Sequence, residues 1–211
     1  MKHVGDITQI HGYDLEPVDV ICGGSPCQDL SVAGKRAGLA GERSGLFMEQ
    51  IRIIKEMREN DKNNGYADEL CRPRFAIWEN VPGALSSGTP KGSDFAAVIE
   101  EFVRIAEPEA PGVQVPEKGW PTAGCYYDEL GRWSVAWRVF DSQYWGPTYF
   151  NADGSVRQCG TPQRRRRIAL VADFAGLCAT EVLFERKGLS RHPEQGGETR
   201  QGTAGSAADS P

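Results

Sequence analysis

Long apolar runs are absent from this 211-residue chain, and no stretch approaches the roughly 20 residues that a membrane-spanning helix needs. The first residues, Met1 to Asp6, also lack the apolar core of a secretory signal peptide. These two absences exclude a transmembrane helix and predict a cytoplasmic protein. The formal net charge of −5 argues mildly against a general nucleic-acid binder, although a local basic surface is compatible with it.

Histidine is scarce and cysteine is scattered. The six cysteines include no Cys-x-x-Cys pair, and the three histidines lie far from them in the sequence. This spacing predicts that the chain holds no metal, and free thiols fit a reducing compartment. The hydrophobic and charged contents, 39% and 25%, are those of an ordinary soluble domain, and the length suffices for one substantial core.

Short apolar runs alternate with amphipathic stretches along most of the chain. This alternation predicts an α/β domain with a mostly parallel sheet. From Arg186 onward the composition is polar and rich in Gly, Ser and Ala, which predicts a disordered tail over 188–211. The individual predictions are a short strand and turn within 1–12, strands at 17–22, 74–79, 134–141 and 167–173, and helices at 45–59 and 93–106.

The most informative segment is Gly23-Gly24-Ser25-Pro26-Cys27, which follows the apolar run from Val18 to Cys22. Two glycines and a proline end the strand sharply, and the thiol comes just after the break. In an α/β sheet, reactive groups lie beyond the carboxyl ends of strands, so Cys27 is a candidate nucleophile. A lone cysteine is more often a small buried side chain, and both interpretations stay open on these residues alone.

Two further segments place charged side chains at predicted strand ends. Glu79 ends a strand in Trp78-Glu79-Asn80-Val81 and is either a site carboxylate or a solvated residue. The four arginines 164–167 follow Pro162-Gln163. Since alternate residues on a strand share a face, Arg165 and Arg167 can point into a cleft together, and a generic basic patch is the alternative.

These segments, in this order, resemble the motifs of the DNA (cytosine-5) methyltransferases of phages and restriction-modification systems. The resemblance covers roughly residues 3–187 and implies a partial catalytic domain over 1–187. It also implies an incomplete Rossmann-like fold for an S-adenosylmethionine-dependent methyltransferase, ending in an antiparallel hairpin of 134–141 and 167–173. The matching residues are Gly23 to Ser31, Val32 to Leu39, Arg43 to Phe47, Trp78 to Val81, and Pro162 to Ile168.

The resemblance implies a catalytic set of Cys27, Glu79, Arg165 and Arg167. The Cys27 thiolate would add to carbon six of a cytosine flipped out of double-stranded DNA, and carbon five would then take a methyl group from S-adenosylmethionine. Glu79 would contact ring N3 and the exocyclic amine. Arg165 would contact the cytosine carbonyl or a phosphate, and Arg167 would help to hold the cysteine loop.

The same resemblance implies the binding residues. Loop 28–43 would close over the DNA, although a flexible surface loop is the alternative interpretation. The cofactor-binding set is Asp6 (at the adenine), Ile7, Pro26 and Leu46. The DNA-binding set is Gln28, Ser31, Lys35, Arg36, Arg43, Gln163 and Arg164.

The chain departs from the family pattern at both ends and at one internal place. The family's Phe-x-Gly-x-Gly loop and ribose-binding acid are missing upstream of Asp6, and its recognition domain and final motif are missing downstream. Residues 188–211 are therefore either a disordered polar tail or the start of the missing recognition domain. We therefore expect a catalytic region truncated at both ends: a gene fragment, one half of a split enzyme, or the product of a misassigned start site. The alternative to an active enzyme is an inactive or split-gene fragment that needs a complementing upstream polypeptide or at most binds DNA.

The internal departure is an insertion, Pro147 to Gly160, which separates Tyr144-Trp145-Gly146 from Thr161-Pro162-Gln163. Asp153-Gly154 predicts a hairpin tip within it. An unrelated cysteine hydrolase is a remote third possibility, because it would need a histidine paired with Cys27 and no histidine lies in a motif.

Overall fold

A computed structural model describes residues 3–25, 45–144, 148–151, 153–158 and 163–184. The predicted tail over 188–211 lies outside these ranges. The helices are α1 (Gly45–Asn63), α2 (Ser93–Ala106) and α3 (Ala179–Leu183). The strands are β1 (Val20–Gly23), β2 (Phe75–Asn80), β3 (Ala123–Tyr127), β4 (Ser134–Asp141), β5 (Thr148–Phe150), β6 (Val156–Gln158) and β7 (Arg166–Asp173).

Five of these strands form one sheet in the order β1-β2-β7-β4-β3. β1 and β2 are parallel, whereas β7 is antiparallel to both β2 and β4, and β3 is antiparallel to β4. The α/β class is confirmed, but the expectation of a mostly parallel sheet is wrong for the described residues, where the sheet is mixed. β7, which is antiparallel to both β2 and β4, accounts for two of the three antiparallel pairs. The third, β3–β4, follows from the tight turn at Asp128–Gly131, which allows only an antiparallel pair.

The predicted pairing of the last two long strands is confirmed. Ser134 lies opposite Asp173 and Asp141 lies opposite Arg166, so β4 and β7 pair along their whole length. The predicted hairpin in the insertion is also confirmed, because β5 and β6 pair with each other as a separate two-stranded sheet. Gly154 in its turn has φ +79°, a conformation that glycine adopts without strain.

The main core lies between one face of the sheet and the helices α1 and α2. Phe47, Ile51 and Ile54 recur at helical spacing along α1 and are buried against the sheet. The inward-facing side chains of β2 and β7 meet them, and each such fully buried side chain contributes about 1.5–3 kcal/mol. α3 covers part of the opposite face through Ala179 and Leu183.

Aromatic rings fill the centre of this core. The Phe95 ring lies 5.2 Å from that of Trp120 and 5.6 Å from that of Trp137, centroid to centroid, and both pairs are edge-to-face. Gly124 of β3 makes room for this packing, because a Cβ there would overlap the Trp137 ring. β3 was not predicted, since its inward residues are only Gly124 and Tyr126, which give a weak apolar pattern.

The N-terminal segment is not a strand over its described residues, and that prediction is wrong. Asp6 Oδ1 accepts hydrogen bonds from the backbone N–H and the hydroxyl of Thr8, both at 2.9 Å, and this turns the chain. A short 3₁₀ helix follows at Gly12–Asp14. The carbonyls of Ile7 and Ile10 bond to the Arg52 side chain instead of to a neighbouring strand.

The predicted helix at 93–106 is confirmed residue for residue, and α1 continues four residues beyond its predicted end. None of the helices in the described ranges is long and apolar enough to cross a membrane.

Asp94, in the first turn of α2, is fully buried, and neither of its carboxylate oxygens has a hydrogen-bond partner among the described residues. The nearby Ser87 hydroxyl donates to the Ala84 carbonyl at 3.0 Å, so it cannot also donate to Asp94. Burial raises the pKa of Asp94, because the charged form is poorly solvated there.

We expect Asp94→Asn to raise the free energy of unfolding at pH 7 by about 1 kcal/mol or more. The folded-state pKa of Asp94 is raised, so the wild type loses stability as the pH rises from about 4, the unfolded value, through the folded pKa. The difference in free energy of unfolding between Asp94→Asn and the wild type should therefore fall towards zero at pH 4. Urea unfolding followed by tryptophan fluorescence between pH 4 and pH 8 measures both quantities.

The exposed Asp68→Asn is the matched control, and its effect should stay within about 0.5 kcal/mol at every pH. A variant at Asp94 that is less stable than the wild type at pH 7 would contradict the assignment of an unpartnered buried charge.

Candidate functional site

Three chain segments meet at one edge of the sheet. β1 and β2 are parallel with Gly23 opposite Trp78, so their carboxyl ends lie side by side. β7 runs antiparallel to β2 with Asn80 opposite Ile168, so the amino end of β7 joins the same edge. The segment leading to Cys27, the end of β2 and the start of β7 with its arginines therefore lie together at this edge.

Glu79 and Arg167 form an ion pair at this edge. The Arg167 Nε lies 2.7 Å from Glu79 Oε1. Glu79 lies opposite Ala169, two residues from Arg167, so the two side chains share one face and meet diagonally. The side chains are 51% and 31% exposed, so water screens the pair and it orients the carboxylate more than it stabilises the fold.

The chain after β1 passes directly against the Glu79 carboxylate. A Cβ at Gly24 would lie 3.2 Å from Glu79 Oε2 and 3.3 Å from the Glu79 carbonyl oxygen. A glycine at this position therefore permits a close approach between the backbone and the carboxylate. Oε1 meets Arg167 and Oε2 faces Gly24, so both carboxylate oxygens have defined surroundings.

Ser25 is buried and fixed by side chains of β2. The Trp78 indole Nε1 donates to Ser25 Oγ at 3.2 Å, and Asn80 Nδ2 donates to the Ser25 carbonyl at 2.9 Å. The other end of the same amide, Asn80 Oδ1, accepts the backbone N–H of Val81 at 2.8 Å. Asn80 thus ties the chain leaving β1 to the chain leaving β2.

Several predicted site residues lie outside the described parts of the chain. The position of the predicted nucleophile relative to Glu79 therefore stays a prediction. These residues are Pro26, Cys27, Gln28, Ser31, Lys35, Arg36 and Arg43.

The remaining members of the arginine run are exposed. The Arg165 carbonyl accepts the N–H of Ser142 at 3.1 Å, and the Gln163 carbonyl accepts the Ser142 hydroxyl at 2.7 Å. The side chains of Gln163, Arg164 and Arg165 all face solvent. Of the described arginines, the structure brings Arg167 to Glu79 but shows no bond between Arg165 and Glu79.

Gln50 is a site-edge residue that the sequence predictions missed. It is buried on α1, its Nε2 lies 3.4 Å from the Ile77 carbonyl as donor, and its amide fills the space that a side chain at Gly23 would need. Gln50 therefore packs α1 against the end of β1. The available signal was a polar residue on the otherwise apolar face of the helix.

The predicted cofactor residues lie near α1. Leu46 is exposed in the first turn of α1 and Ile7 is half-buried in the turn near the amino terminus. Both hydrogen bonds from Thr8 end on Asp6 Oδ1 and lower the pKa of Asp6, which is fully exposed. The structure places Asp6 and Ile7 on a segment bound to α1, but shows no contact between them and Leu46.

Arg52 holds this segment in place and was also missed. Its Nη2 donates to the carbonyls of Ile7 and Ile10 at 2.9 Å each, and its Nε donates to Glu49 at 2.7 Å. Glu56 completes the cluster, accepting from Arg52 Nη1 at 2.8 Å and from the Gly12 N–H at 2.6 Å. Burial opposes ionisation of Glu56, but these bonds lower its pKa.

No group of three or more His, Cys, Asp or Glu side chains that could hold a metal ion occurs in the described ranges.

We expect Arg52→Gln to lower the free energy of unfolding by about 1–3 kcal/mol, because it removes charge-assisted hydrogen bonds to two carbonyls and two carboxylates. It should also speed proteolytic cleavage within residues 3–14. Chemical denaturation and limited proteolysis measure the two effects.

Arg104→Gln is the matched control, since Arg104 pairs with Glu100 and Glu101 on its own helix, and such pairs contribute about 0.2–0.5 kcal/mol each. Equal effects of the two substitutions would reject the role of Arg52 as the anchor of this segment.

Comparison with known proteins identifies a family for the first half of the chain. Residues 1–105 match the family described as C-5 cytosine-specific DNA methylase. The matched range includes Asp6, Cys27 and Glu79, whereas the arginine run lies beyond it.

Individual relatives extend the similarity. A protein of Escherichia phage P1 named DNA N-6-adenine-methyltransferase is 30% identical over 91% of this chain and 25% of its own length. The type II methyltransferase M.BsuFI of Bacillus subtilis is 26% identical over 88% of this chain and 32% of its own length. M.HhaI of Haemophilus parahaemolyticus is 38% identical over 43% of this chain and 32% of its own length. The chain thus spans between a quarter and a third of the length of these relatives.

Proposed function

Because the chain belongs to the family of C-5 cytosine-specific DNA methylases, we propose that it carries catalytic residues of a DNA (cytosine-5) methyltransferase. The observation that carries this proposal is the Glu79–Arg167 pair beside the backbone that leads to Cys27. A carboxylate and a guanidinium at one sheet edge, together with the thiol proposed for the same edge, suit covalent activation of an aromatic ring.

Cys27 is the proposed nucleophile. Its thiolate adds to carbon six of the cytosine, forming a carbon–sulfur bond and shifting the electrons of the ring double bond so that carbon five becomes nucleophilic. S-adenosylmethionine, when bound, supplies the methyl group that carbon five takes. A base then removes the proton from carbon five, the carbon–sulfur bond breaks, and the double bond re-forms.

Glu79 is the proposed partner of the ring N3 and the exocyclic amine, where it stabilises charge that develops during the attack by Cys27. Arg167 orients this carboxylate through Oε1, which supports a fixed position for Oε2 towards Gly24. Trp78 and Asn80 anchor Ser25, two residues before Cys27 in the sequence, which supports the proposal that this segment brings its nucleophile to Glu79. Arg165 is the proposed contact to the cytosine carbonyl or a nearby phosphate.

The residues near α1 fit part of a site for S-adenosylmethionine. Asp6 Oδ2 takes no bond from Thr8, so it can accept one from the adenine amine, and exposed Leu46 offers apolar surface. Ile7 and Pro26 complete the proposed cofactor contacts. The match to this chain spans only 25–32% of the length of the relatives. We therefore propose to assay the chain both alone and mixed with an upstream polypeptide that carries the Phe-x-Gly-x-Gly loop.

Double-stranded DNA is the proposed substrate. The reacting carbon is inaccessible within a duplex, so the cytosine must be flipped out at a cost of a few kcal/mol, roughly. The proposed backbone contacts come from loop 28–43 and from Gln163 and Arg164. The cytoplasm, where DNA is accessible, is the proposed location.

A second candidate function is methylation of adenine N6, which the name of the phage P1 relative favours. That comparison covers 25% of the phage protein, so most of its length lies outside the match. The two functions differ chemically, because an exocyclic amine attacks a methyl group through its own lone pair and needs no cysteine adduct.

Labelled S-adenosylmethionine and mixed-sequence duplex DNA test the proposal. We expect transfer of label to DNA, at least in the presence of the upstream polypeptide, and 5-methylcytosine in the hydrolysed product. N6-methyladenine as the sole product would instead support the second candidate.

We expect Cys27→Ser to abolish a covalent adduct with DNA that contains 5-fluorocytosine. The fluorine at carbon five cannot leave as a proton, so the intermediate is trapped as a protein–DNA species that survives denaturing electrophoresis. Cys22→Ser is the matched control and should form the adduct as the unchanged chain does, since Cys22 is exposed on β1 five residues earlier. Adduct formation by Cys27→Ser would reject the assignment.

We expect Glu79→Gln to slow both adduct formation and methyl transfer by about 10²-fold or more, because the amide cannot stabilise the developing charge as a carboxylate does. Single-turnover measurements with fluorinated and ordinary DNA give the two rates. Glu101→Gln, a carboxylate of α2 paired with Lys55 and Arg104, should leave both rates unchanged. A Glu79→Gln rate within a factor of three of the control would remove Glu79 from the proposed mechanism.

A further inference from the structure

The hairpin of β5 and β6 is a defined element that the proposed mechanism does not use. Thr148 pairs with Gln158 and Phe150 with Val156. Its turn is stabilised internally, since the Asn151 N–H donates to the Ser155 carbonyl at 2.9 Å and Asp153 Oδ1 accepts the Ser155 N–H at 2.8 Å.

The hairpin arises at the site edge of the sheet. Asp141, the last residue of β4, lies opposite Arg166, the first residue of β7, and Ser142 bonds to the Arg165 and Gln163 carbonyls. The chain therefore leaves and re-enters the sheet at the end that holds Glu79 and Arg167. Tyr144 precedes Thr148 by four residues, so the start of the hairpin is within about 15 Å of Tyr144.

The surface here combines exposed aromatic rings with cations. Phe150 is 78% exposed and Tyr144 is 71% exposed. Arg164, Arg165 and Arg166 are exposed at the base of the hairpin, and within the described ranges no carboxylate pairs with any of them.

The acidic groups nearby are already engaged. Glu79 pairs with Arg167, Asp153 accepts from Ser155 within the turn, and Asp141 accepts from Gln143. The cationic charge at the base of the hairpin is therefore not neutralised locally.

Exposed aromatic rings and unpaired guanidinium groups that belong to one connection between β4 and β7 suit nucleic acid. Guanidinium groups bind phosphates, and exposed aromatic rings stack on bases that have left the helical stack. A second copy of the chain could cover Phe150, but it would bring two sets of these arginines together.

We propose that the hairpin 148–158 and the arginines at its base form a DNA-contacting element. Phe150 stacks on a base exposed beside the flipped-out cytosine, and Arg164 and Arg166 bind the neighbouring phosphates. This inference rests on the proposed function, because it takes DNA as the substrate, and it assigns the hairpin a role in holding that DNA.

Binding of the unmodified 211-residue chain to a fluorescent 30-base-pair duplex, followed by anisotropy, tests this element. We expect Phe150→Ala to weaken binding about 10-fold, within the range for loss of one stacked base, and Phe150→Trp to restore it. Tyr127→Ala is the matched control, because Tyr127 is exposed opposite Ser134 at the other end of β4, and its binding should be unchanged.

The arginines are tested by salt dependence. We expect the double variant with Arg164→Gln and Arg166→Gln to bind DNA more weakly. The magnitude of the slope of log affinity against log salt concentration should fall by about 2, one for each phosphate contact. Lys118→Gln is the control. Lys118 is exposed and lies outside the hairpin and the arginine run, so the slope should be unchanged.

The outcomes separate this inference from the proposed function. If the unchanged chain binds DNA and all hairpin variants bind equally well, the hairpin proposal is wrong and the methyltransferase proposal stands. If the unchanged chain does not bind DNA, the hairpin proposal is overturned, and the methyl-transfer and adduct assays decide the function separately. Sedimentation that shows a dimer dissociated by Phe150→Ala, with DNA binding unaffected, would assign the surface to a second copy instead.

Discussion

The position of β7 between β2 and β4 is the constraint on which the rest of the structure depends. By pairing with both strands, β7 joins the parallel pair β1–β2 to the antiparallel pair β3–β4 in one sheet. An arginine–carboxylate pair lies near each end of the β2–β7 contact. Arg74 and Asp173 meet at one end at 3.0 Å, and Glu79 and Arg167 meet at the other at 2.7 Å.

The two ion pairs differ in burial, and this difference distinguishes the pair that stabilises the sheet from the pair at the proposed catalytic site. Asp173 is fully buried; burial opposes its ionisation, but hydrogen bonds from Arg74 and from the Ala175 and Cys178 N–H groups lower its pKa. With every oxygen satisfied, this carboxylate anchors the strands. Glu79 is half exposed and one of its oxygens faces a glycine, which supports its proposed role as the carboxylate that contacts the substrate.

The sequence predicted those elements whose pattern is local and strong. The five apolar positions of α2 recur at helical spacing, so its bounds were correct. The apolar runs of β4 and β7 predicted two strands, and the family resemblance implied their pairing. β3 was not predicted because Gly124 and Tyr126 alone form its inward face. α3 was not predicted because five residues are too few to show helical periodicity. The N-terminal strand was wrong because the Asp6–Thr8 turn and the Arg52 side chain capture backbone groups that a strand would need.

In the candidate site too, residues with a local sequence signal were predicted and residues without one were missed. Glu79 and Arg167 were found because they lie in motifs, and the register of β2 and β7 brings them together. Gln50 and Arg52 lie in no motif, and Ser25 lies in one but was assigned no role, since each acts on a backbone or side-chain group far away in sequence. Their contacts nevertheless determine where the motif residues can lie: Ser25 fixes the chain before Cys27, Gln50 fixes the end of β1 against α1, and Arg52 fixes the Asp6 segment on the same helix. Because Gln50 and Arg52 lie within one turn of each other, α1 is the element that couples the proposed nucleophile segment to the proposed cofactor segment.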